Sequence, residues 1–282
     1  MTQSNDKLYG KTAVITGAAS GIGRALAQEL AKNKCQLALA DQDLVGLEKL
    51  KQDLALPSEQ CLIYQLDVSD EQAVMDFAQA VADHYQAADL LFNNAGISLV
   101  DHGATQSSRD LSRVMDVNFW GVVYGCTAFI PLMEKSNSAH IINVSSLFGL
   151  ISVPSQTAYN ASKFAVRGYS ESLSMDLMDT PIRVSCVHPG GVKTNIVRNT
   201  KVNTDSMMTS HQDVIDRFEK LATTTAKQAA QQILKGVNHN KRRILVGRDA
   251  KIVDMVARLF PASYEHILNF RKRFGPDTTR EI

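Results

Sequence analysis

The chain has 282 residues, 44% of them hydrophobic, and carries 30 basic against 29 acidic side chains. It is long enough to bury one large core and has no net field with which to hold nucleic acid. Its 4 cysteines are scattered without paired spacing and its 7 histidines form no ligand pattern, which gives neither a disulfide framework nor a metal site; the polar opening Met1 to Lys7 lacks the apolar core of a signal peptide. The expectation is a reduced, metal-free, cytoplasmic protein.

Thr12 to Thr16 is a short apolar, β-branched run, followed at once by Gly17-Ala18-Ala19-Ser20-Gly21-Ile22-Gly23 and then by the helical pattern of Arg24 to Lys32. Strand, glycine loop and helix in that order make an anion site. Backbone approaches a pyrophosphate only where side chains are absent, and the helix start adds unpaired N–H groups at a positive dipole end. The spacing Gly-x-x-x-Gly-x-Gly keeps the mechanism of the dinucleotide fingerprint while changing its pattern.

The second strand-like run, Gln36 to Ala40, ends in Asp41, where a dinucleotide-binding unit places an acid for the adenosine ribose. A carboxylate there accepts from the 2′-hydroxyl and repels a 2′-phosphate, and Gln42 offers no compensating charge. NAD is favoured over NADP on this reading, with Arg24 the cation that leaves room for NADP. As an alternative, Asp41 is an exposed strand-end residue that caps the next helix.

Cys61 to Gln65, Leu90 to Asn93, His140 to Val144, Arg183 to His188 and Arg243 to Val246 are further strand-like runs, each adjoining a segment of helical period. Such alternation predicts a parallel sheet with helices on both faces and ligands bound outside the carboxyl ends of its strands. Val117 to Met133 is uncharged but too short to cross a bilayer of about 30 Å comfortably. With Asn118 and two glycines inside it, it reads as a buried helix. Two glycosylation sequons, Asn143-Val144-Ser145 and Asn160-Ala161-Ser162, fall inside the segments that carry the chemistry and are read as part of it.

Tyr159 and Lys163 carry that chemistry. If Thr157 to Met178 is a helix, positions i and i+4 share a face, and the Lys163 ammonium sits beside the Tyr159 phenol. A phenol that ionises near pH 10 is a poor base at neutrality, and lowering it by about two to three units takes roughly 3 to 4 kcal/mol of differential stabilisation of the phenolate. A partly buried cation supplies that. The spacing alone suits any amphipathic face; its company gives it weight.

With these residues in place, the chain resembles a short-chain dehydrogenase/reductase of the plain, single-domain kind from about Lys7 to Val246. The resemblance rests on Thr16 to Gly23, Asp67-Val68, Asn93-Asn94-Ala95-Gly96, Asn118, Ser145-Ser146, Tyr159 to Lys163 and Pro189-Gly190-Gly191-Val192-Lys193-Thr194. It implies a Rossmann-type, doubly wound, seven-stranded parallel sheet flanked by helices, with a C-terminal helical extension. Tyr159 would pass the proton to or from the substrate oxygen, Lys163 would lower its pKa and hold nicotinamide ribose hydroxyls, and Ser146 would bond the same oxygen. Ser146 is preferred to Ser145 on spacing. Asn118 would sit at a helix distortion and hold a water that links Lys163 to solvent.

For the cofactor, the resemblance implies Gly17, Ser20, Gly21, Ile22 and Gly23 at the pyrophosphate, Asp41 at the ribose, Asp67 and Val68 at the adenine, and Asn93 on the adenosine side. Ala95, Gly96, Pro189 and Gly190 belong to the same set, Val192 and Thr194 hold the nicotinamide carboxamide and pyrophosphate, and Asn94 ties neighbouring strands. The implied activity is interconversion of an alcohol and its ketone or aldehyde with NAD, in a homodimer or homotetramer. An NADPH-dependent carbonyl or acyl reductase and a non-catalytic dinucleotide-sensing protein are the alternatives.

Residues 1–247 are expected to form the catalytic domain with a long loop or lid at about 195–225, and 248–282 an extension packed on it or on a neighbouring subunit. Pocket walls are expected from Leu147 to Pro154, Ile97 to Ser107 and Asn195 to Thr225. In the last stretch Ile196, Val197, Met207, Met208 and Phe218 suit an apolar substrate. Ile252 to Phe270, interrupted by Pro261 and trailed by Arg271-Lys272-Arg273, looks amphipathic. Packing against protein is favoured over a membrane surface because Asp254 and Glu265 interrupt its face.

Overall fold

The computed structural model describes residues 7–203 and 210–268. Seven strands form its central sheet: β1 (Thr12–Thr16), β2 (Gln36–Asp41), β3 (Cys61–Gln65), β4 (Leu90–Asn93), β5 (Ala139–Val144), β6 (Ile182–Pro189) and β7 (Arg243–Val246). They lie in the order β7-β6-β5-β4-β1-β2-β3, every neighbouring pair parallel. The order reverses between β1 and β4, which is where a doubly wound sheet opens a crevice at its carboxyl edge.

Helices cover both faces. The set comprises α1 (Gly21–Lys32), α2 (Leu44–Leu54), α3 (Glu71–Tyr85), α4 (Ser108–Met115), α5 (Gly121–Met133), α6 (Thr157–Asp176), α7 (His211–Leu221), α8 (Ala226–Asn238), α9 (Arg248–Leu259) and α10 (Tyr264–Ile267). Alternation along β1 sorts the core: Ala13 and Ile15 pack with Leu26 and Leu30 of α1 and Ile233 of α8, while Val14 packs with Phe77 of α3 and Phe129 of α5. Every β1 residue is buried, which is why its sequence is a continuous apolar run rather than an alternating one. Each of the fully buried Leu and Phe side chains contributes about 1.5 to 3 kcal/mol relative to exposure.

Helix starts follow capping chemistry. Asp43 accepts from Gly46 N–H, Asp70 from Ala73 N–H and Ser107 from Asp110 N–H, so the starts of α2, α3 and α4 each have an orphan donor satisfied by a side chain. The same chemistry corrects the expected long loop at 195–225. Ser210 and Asp213 form a reciprocal capping box that starts α7, and Thr225 and Gln228 form another that starts α8. Two short parallel pairings, Leu99–Val100 with Lys201–Val202 and Thr224–Thr225 with Val192–Lys193, tie the segment down on either side. Met207 and Met208 lie outside the described residues.

The C-terminal segment also differs from the single amphipathic stretch expected. α9 begins earlier, at Arg248, and stops at Leu259 because Pro261 cannot continue it; α10 follows. Asp254 does not interrupt an outer face: it is buried and bonds Arg243 at 2.6 Å and Arg258 at 3.1 Å. Val253 packs with Ile151 and Val153, and the Tyr264 hydroxyl accepts from Ser152 N–H at 3.0 Å. Ile252, Met255 and Leu259 face outward. Phe270 and Arg271 to Arg273 lie outside the described residues. No helix among the described residues is long and apolar enough to cross a membrane.

Candidate active site

The carboxyl ends of β1, β2, β4, β5 and β6 open onto one cleft of about 980 Å³. At its β1 end the glycine loop turns through Gly17 at φ +67° and Gly21 at φ +53°, conformations that cost an L side chain energy. A Cβ on Gly17 would meet Ala95 Cα at 2.9 Å, so loop and β4 extension touch backbone to backbone. Asn94 holds that contact, donating to Thr16 O at 2.9 Å and Gly17 O at 3.2 Å, as expected of a residue that ties strands. Gly17→Ala should lower stability by about 1 to 3 kcal/mol through strain alone, read as a shift in the urea midpoint; an unshifted midpoint would mean that the loop relaxes freely.

Gly23 serves the loop differently from its neighbours. A Cβ there would overlap Gly17 O, so Gly23 closes the turn on itself and does not line the cleft, whereas Gly17, Ser20, Gly21 and Ile22 do. Asp41 stands on the cleft wall at the end of β2, where its two oxygens accept from Ala19 N–H at 2.9 Å and Asp43 N–H at 3.1 Å. Asp67 and Val68 line the same end. Burial opposes the Asp67 charge, but bonds from the Ser69 hydroxyl and amide, joined by Gln42 and the Arg113 charge, hold the carboxyl below its ordinary range.

Asn93 is not brought to this wall. It is 2% exposed and turns inward, donating to Asn143 Oδ1 at 2.9 Å on β5, with its Oδ1 packed against Gly125 of α5. Asn94, Ala95 and Gly96, which follow it, do line the cleft, as do Pro189, Gly190, Val192 and Thr194 at and beyond the end of β6.

At the other end, α4 passes into α5 through a π-helical turn, Asp116–Trp120, which displaces Asn118 from helical register. Asn118 is fully buried; its Oδ1 accepts from Ile97 N–H at 2.8 Å, and its Nδ2 donates to Ile97 O at 2.9 Å and to Ser162 Oγ at 3.0 Å. Gly96 lets this group close up, since a Cβ there would sit 3.1 Å from Asn118 Oδ1 and 3.3 Å from Lys163 Nζ.

Tyr159 and Lys163 share a face of α6, and the Lys163 ammonium lies 5.7 Å from the centre of the Tyr159 ring. Lys163, 3% exposed, donates to Val144 O at 3.0 Å, and its burial pulls its pKa down to about 8. The Tyr159 phenol differs from the sequence expectation. Burial pushes it above its ordinary value, and only a hydrogen bond with Ser146 draws it back. The ammonium, held by the carbonyl of Val144, does not offset that burial. Tyr159 is only partly buried and lines the cleft. Ser145 and Ser146 both line the cleft but differ in their bonds. Ser145 Oγ is committed to the helix, donating to Lys163 O at 2.8 Å, whereas the Ser146 hydroxyl is the one that bonds Tyr159.

Asp249 and Val253 of α9 and Val214, Phe218 and Leu221 of α7 also line the cleft. The α7 residues fall in the stretch expected to form a wall; Asp249 and Val253 were missed. A Gly-x-Asp turn immediately after β7, Gly247 to Asp249, was the available signal.

A family model described as short chain dehydrogenase matches residues 11–205. The chain belongs to that family, and it is an oxidoreductase of the kind that works with a nicotinamide dinucleotide. "Putative oxidoreductase SadH" of Mycobacterium tuberculosis is 43% identical over 261 residues, covering 92% of this chain and 94% of that protein. "Dehydrogenase/reductase SDR family protein 7-like" of Drosophila melanogaster is 32% identical, covering 93% and 81% respectively. Among solved structures, a short chain dehydrogenase/reductase from Burkholderia phymatum in complex with NAD is 30% identical with a TM-score of 0.81, covering 90% of this chain and 95% of that one.

Proposed function

We propose that this protein is an NAD-dependent dehydrogenase that interconverts an alcohol and its ketone or aldehyde on an apolar substrate, with Tyr159 as the proton carrier. The observation that carries the reading is convergence: the Tyr159 phenol, Ser146 hydroxyl and Lys163 ammonium meet at one end of a cleft whose other end is a glycine loop beside Asp41. The cleft fits the cofactor on its own terms, because side chains are missing at Gly17 and Gly21, where a pyrophosphate would need backbone, and the Asp41 carboxylate on the same wall is an acceptor suited to a ribose hydroxyl.

Bound NAD supplies the hydride acceptor. Gly17, Ser20, Gly21 and Ile22 hold the pyrophosphate, Asp41 the adenosine ribose, Asp67 and Val68 the adenine, and Ala95 and Gly96 give the cofactor a backbone floor. Pro189, Gly190, Val192 and Thr194 hold the nicotinamide end. Tyr159 takes the proton from the substrate hydroxyl while Ser146 holds the same oxygen and stabilises charge there. In this reading Lys163, with its pKa near 8, binds nicotinamide ribose, and Asn118 holds the water that connects it to solvent.

Leu147, Phe148, Ile151, Val197, Phe218 and Val253 give the substrate end an apolar lining. In this reading α7 is the lid of a catalytic domain spanning 1–247, and 248–282 is an extension of it. A cytoplasmic homodimer or homotetramer completes the reading. The NADPH-dependent alternative needs a cation free to meet a 2′-phosphate. Arg24 is engaged instead, by Asp53 on α2 and by Ala19 O.

Fluorescence titration with NADH and NADPH in parallel, at one ionic strength, tests the cofactor choice. NADH should bind at least about 10-fold more tightly, and Asp41→Ala should erase most of that ratio by removing the repulsion. Tighter NADPH binding by the wild type would sink the assignment of Asp41.

A further inference from the structure

β7 ends at Val246, and Gly247, at φ +94°, turns the chain straight into α9. From the first turn of that helix Asp249 reaches across the end of the sheet to the segment after β6, where its Oδ2 accepts from Gly191 N–H at 2.6 Å. That is a short bond to a charged acceptor, the stronger kind. The surroundings are moulded to the carboxylate: a Cβ on Gly190 would overlap its Oδ2, and a Cβ on Gly247 would overlap its Oδ1.

The Gly190–Gly191 turn is thus tied at three points. Gly190 N–H donates to Val246 O at 2.9 Å, Gly191 O accepts from Thr224 N–H at 3.2 Å, and Gly191 N–H goes to Asp249. The first two ties are main chain to main chain; the third depends on one side chain. Val192 follows directly, buried and paired with Thr224. Asp249 Oδ1, meanwhile, is shut off from solvent without a partner, an arrangement that opposes folding and is unusual in a protein interior.

We propose that Asp249 is a positioning residue for the cofactor: it fixes the Gly190–Gly191 turn so that Val192 and Thr194 stand ready at the nicotinamide end before the cofactor arrives. The C-terminal extension is then a working part of the site. Preorganisation of this sort raises affinity by removing the ordering cost at binding. The inference rests on the dinucleotide reading of the cleft.

Amide hydrogen exchange across 189–194 in the cofactor-free protein, beside NADH titration, separates the two. In the wild type the Gly191 amide should be protected. In Asp249→Ala it should exchange about 10-fold faster and NADH should bind about 10-fold more weakly, the worth of one charge-assisted bond. Asp249→Asn, which keeps an acceptor oxygen, should recover most of both, and Lys251→Ala, exposed on the same helix, should change neither. A Gly191 amide that exchanges freely in the wild type overturns the proposal even if Asp249→Ala does not fold. So does an Asp249→Ala protein whose Gly191 amide is released while its NADH affinity stays at the wild-type value. Failure of the wild type to bind either dinucleotide would overturn the reading beneath it, and is recognised because it needs no variant.

Discussion

Tyr159→Phe should lower kcat by about 10² to 10⁴-fold on whichever member of a panel of apolar alcohols the wild type oxidises, with NADH affinity unchanged. The substitution removes one oxygen and keeps the ring, so the edge contact with Phe148, at 6.1 Å between centroids, and the place beneath Lys163 both survive. What is lost is the group that takes the proton. Because burial holds the unliganded phenol above its ordinary value, the base form is scarce at neutrality, and alcohol oxidation should speed up as pH rises into the alkaline range. Steady-state rates with single-turnover controls decide the matter. Retention of turnover within a few-fold would remove Tyr159 from the chemistry, and a wild type inert across the whole panel would favour the dinucleotide-sensing alternative.

Acidification should destabilise this protein before its carboxylates protonate. His140 and His188 are 5% and 0% exposed, the first 2.7 Å from Ser185 Oγ and the second 3.0 Å from Ser146 O. Burial is the main cause that brings each to about 4, from an ordinary value of 6.5. Above pH 6.5 both states are neutral and neither histidine contributes a slope. Between 6.5 and 4 the unfolded chain binds protons that the folded chain refuses, so stability falls as pH falls, by on the order of 3 kcal/mol per histidine at the bottom of that window. Urea unfolding at pH 7.5, 6 and 5 measures it, and His140→Asn should roughly halve the slope. A flat stability between pH 7 and 5 would refute the account.

The sheet was legible because burial wrote it into the sequence. β1, β3, β4 and β7 lie where their apolar runs begin and end, β2 and β5 differ from theirs by one residue at one end, and β6 by one residue at each end. Ser146, Tyr159 and Lys163 were legible through spacing on one helix and the loop beside it. Other features depend on facts that no local pattern holds. Which way Asn93 points is decided by Asn143 on the next strand and Gly125 on α5, so the resemblance implied a cofactor contact while its packing makes its side chain part of the core. α7 was signalled by Ser210 and Asp213, but the polar residues around them masked its period. The ammonium of Lys163 was expected to depress the Tyr159 phenol; the competing carbonyl of Val144 is a neighbour in space alone. Asp249 meets a residue 58 positions earlier, a pairing that spacing rules do not reach.

The strand order also says how the chain can be assembled as it emerges from the ribosome. β1 is the first of the seven to be made and ends up inside the sheet; β2 and β3 extend it on one side, and β4 to β7 extend it on the other. Each new strand joins an open edge, and none has to wedge between two that are already bonded, so the nascent chain can grow the sheet outward without reopening it. The last edge strand brings α9 with it, which makes the Gly191–Asp249 bond among the final ties to form. A growing chain would therefore hold most of its sheet before its nicotinamide end is set.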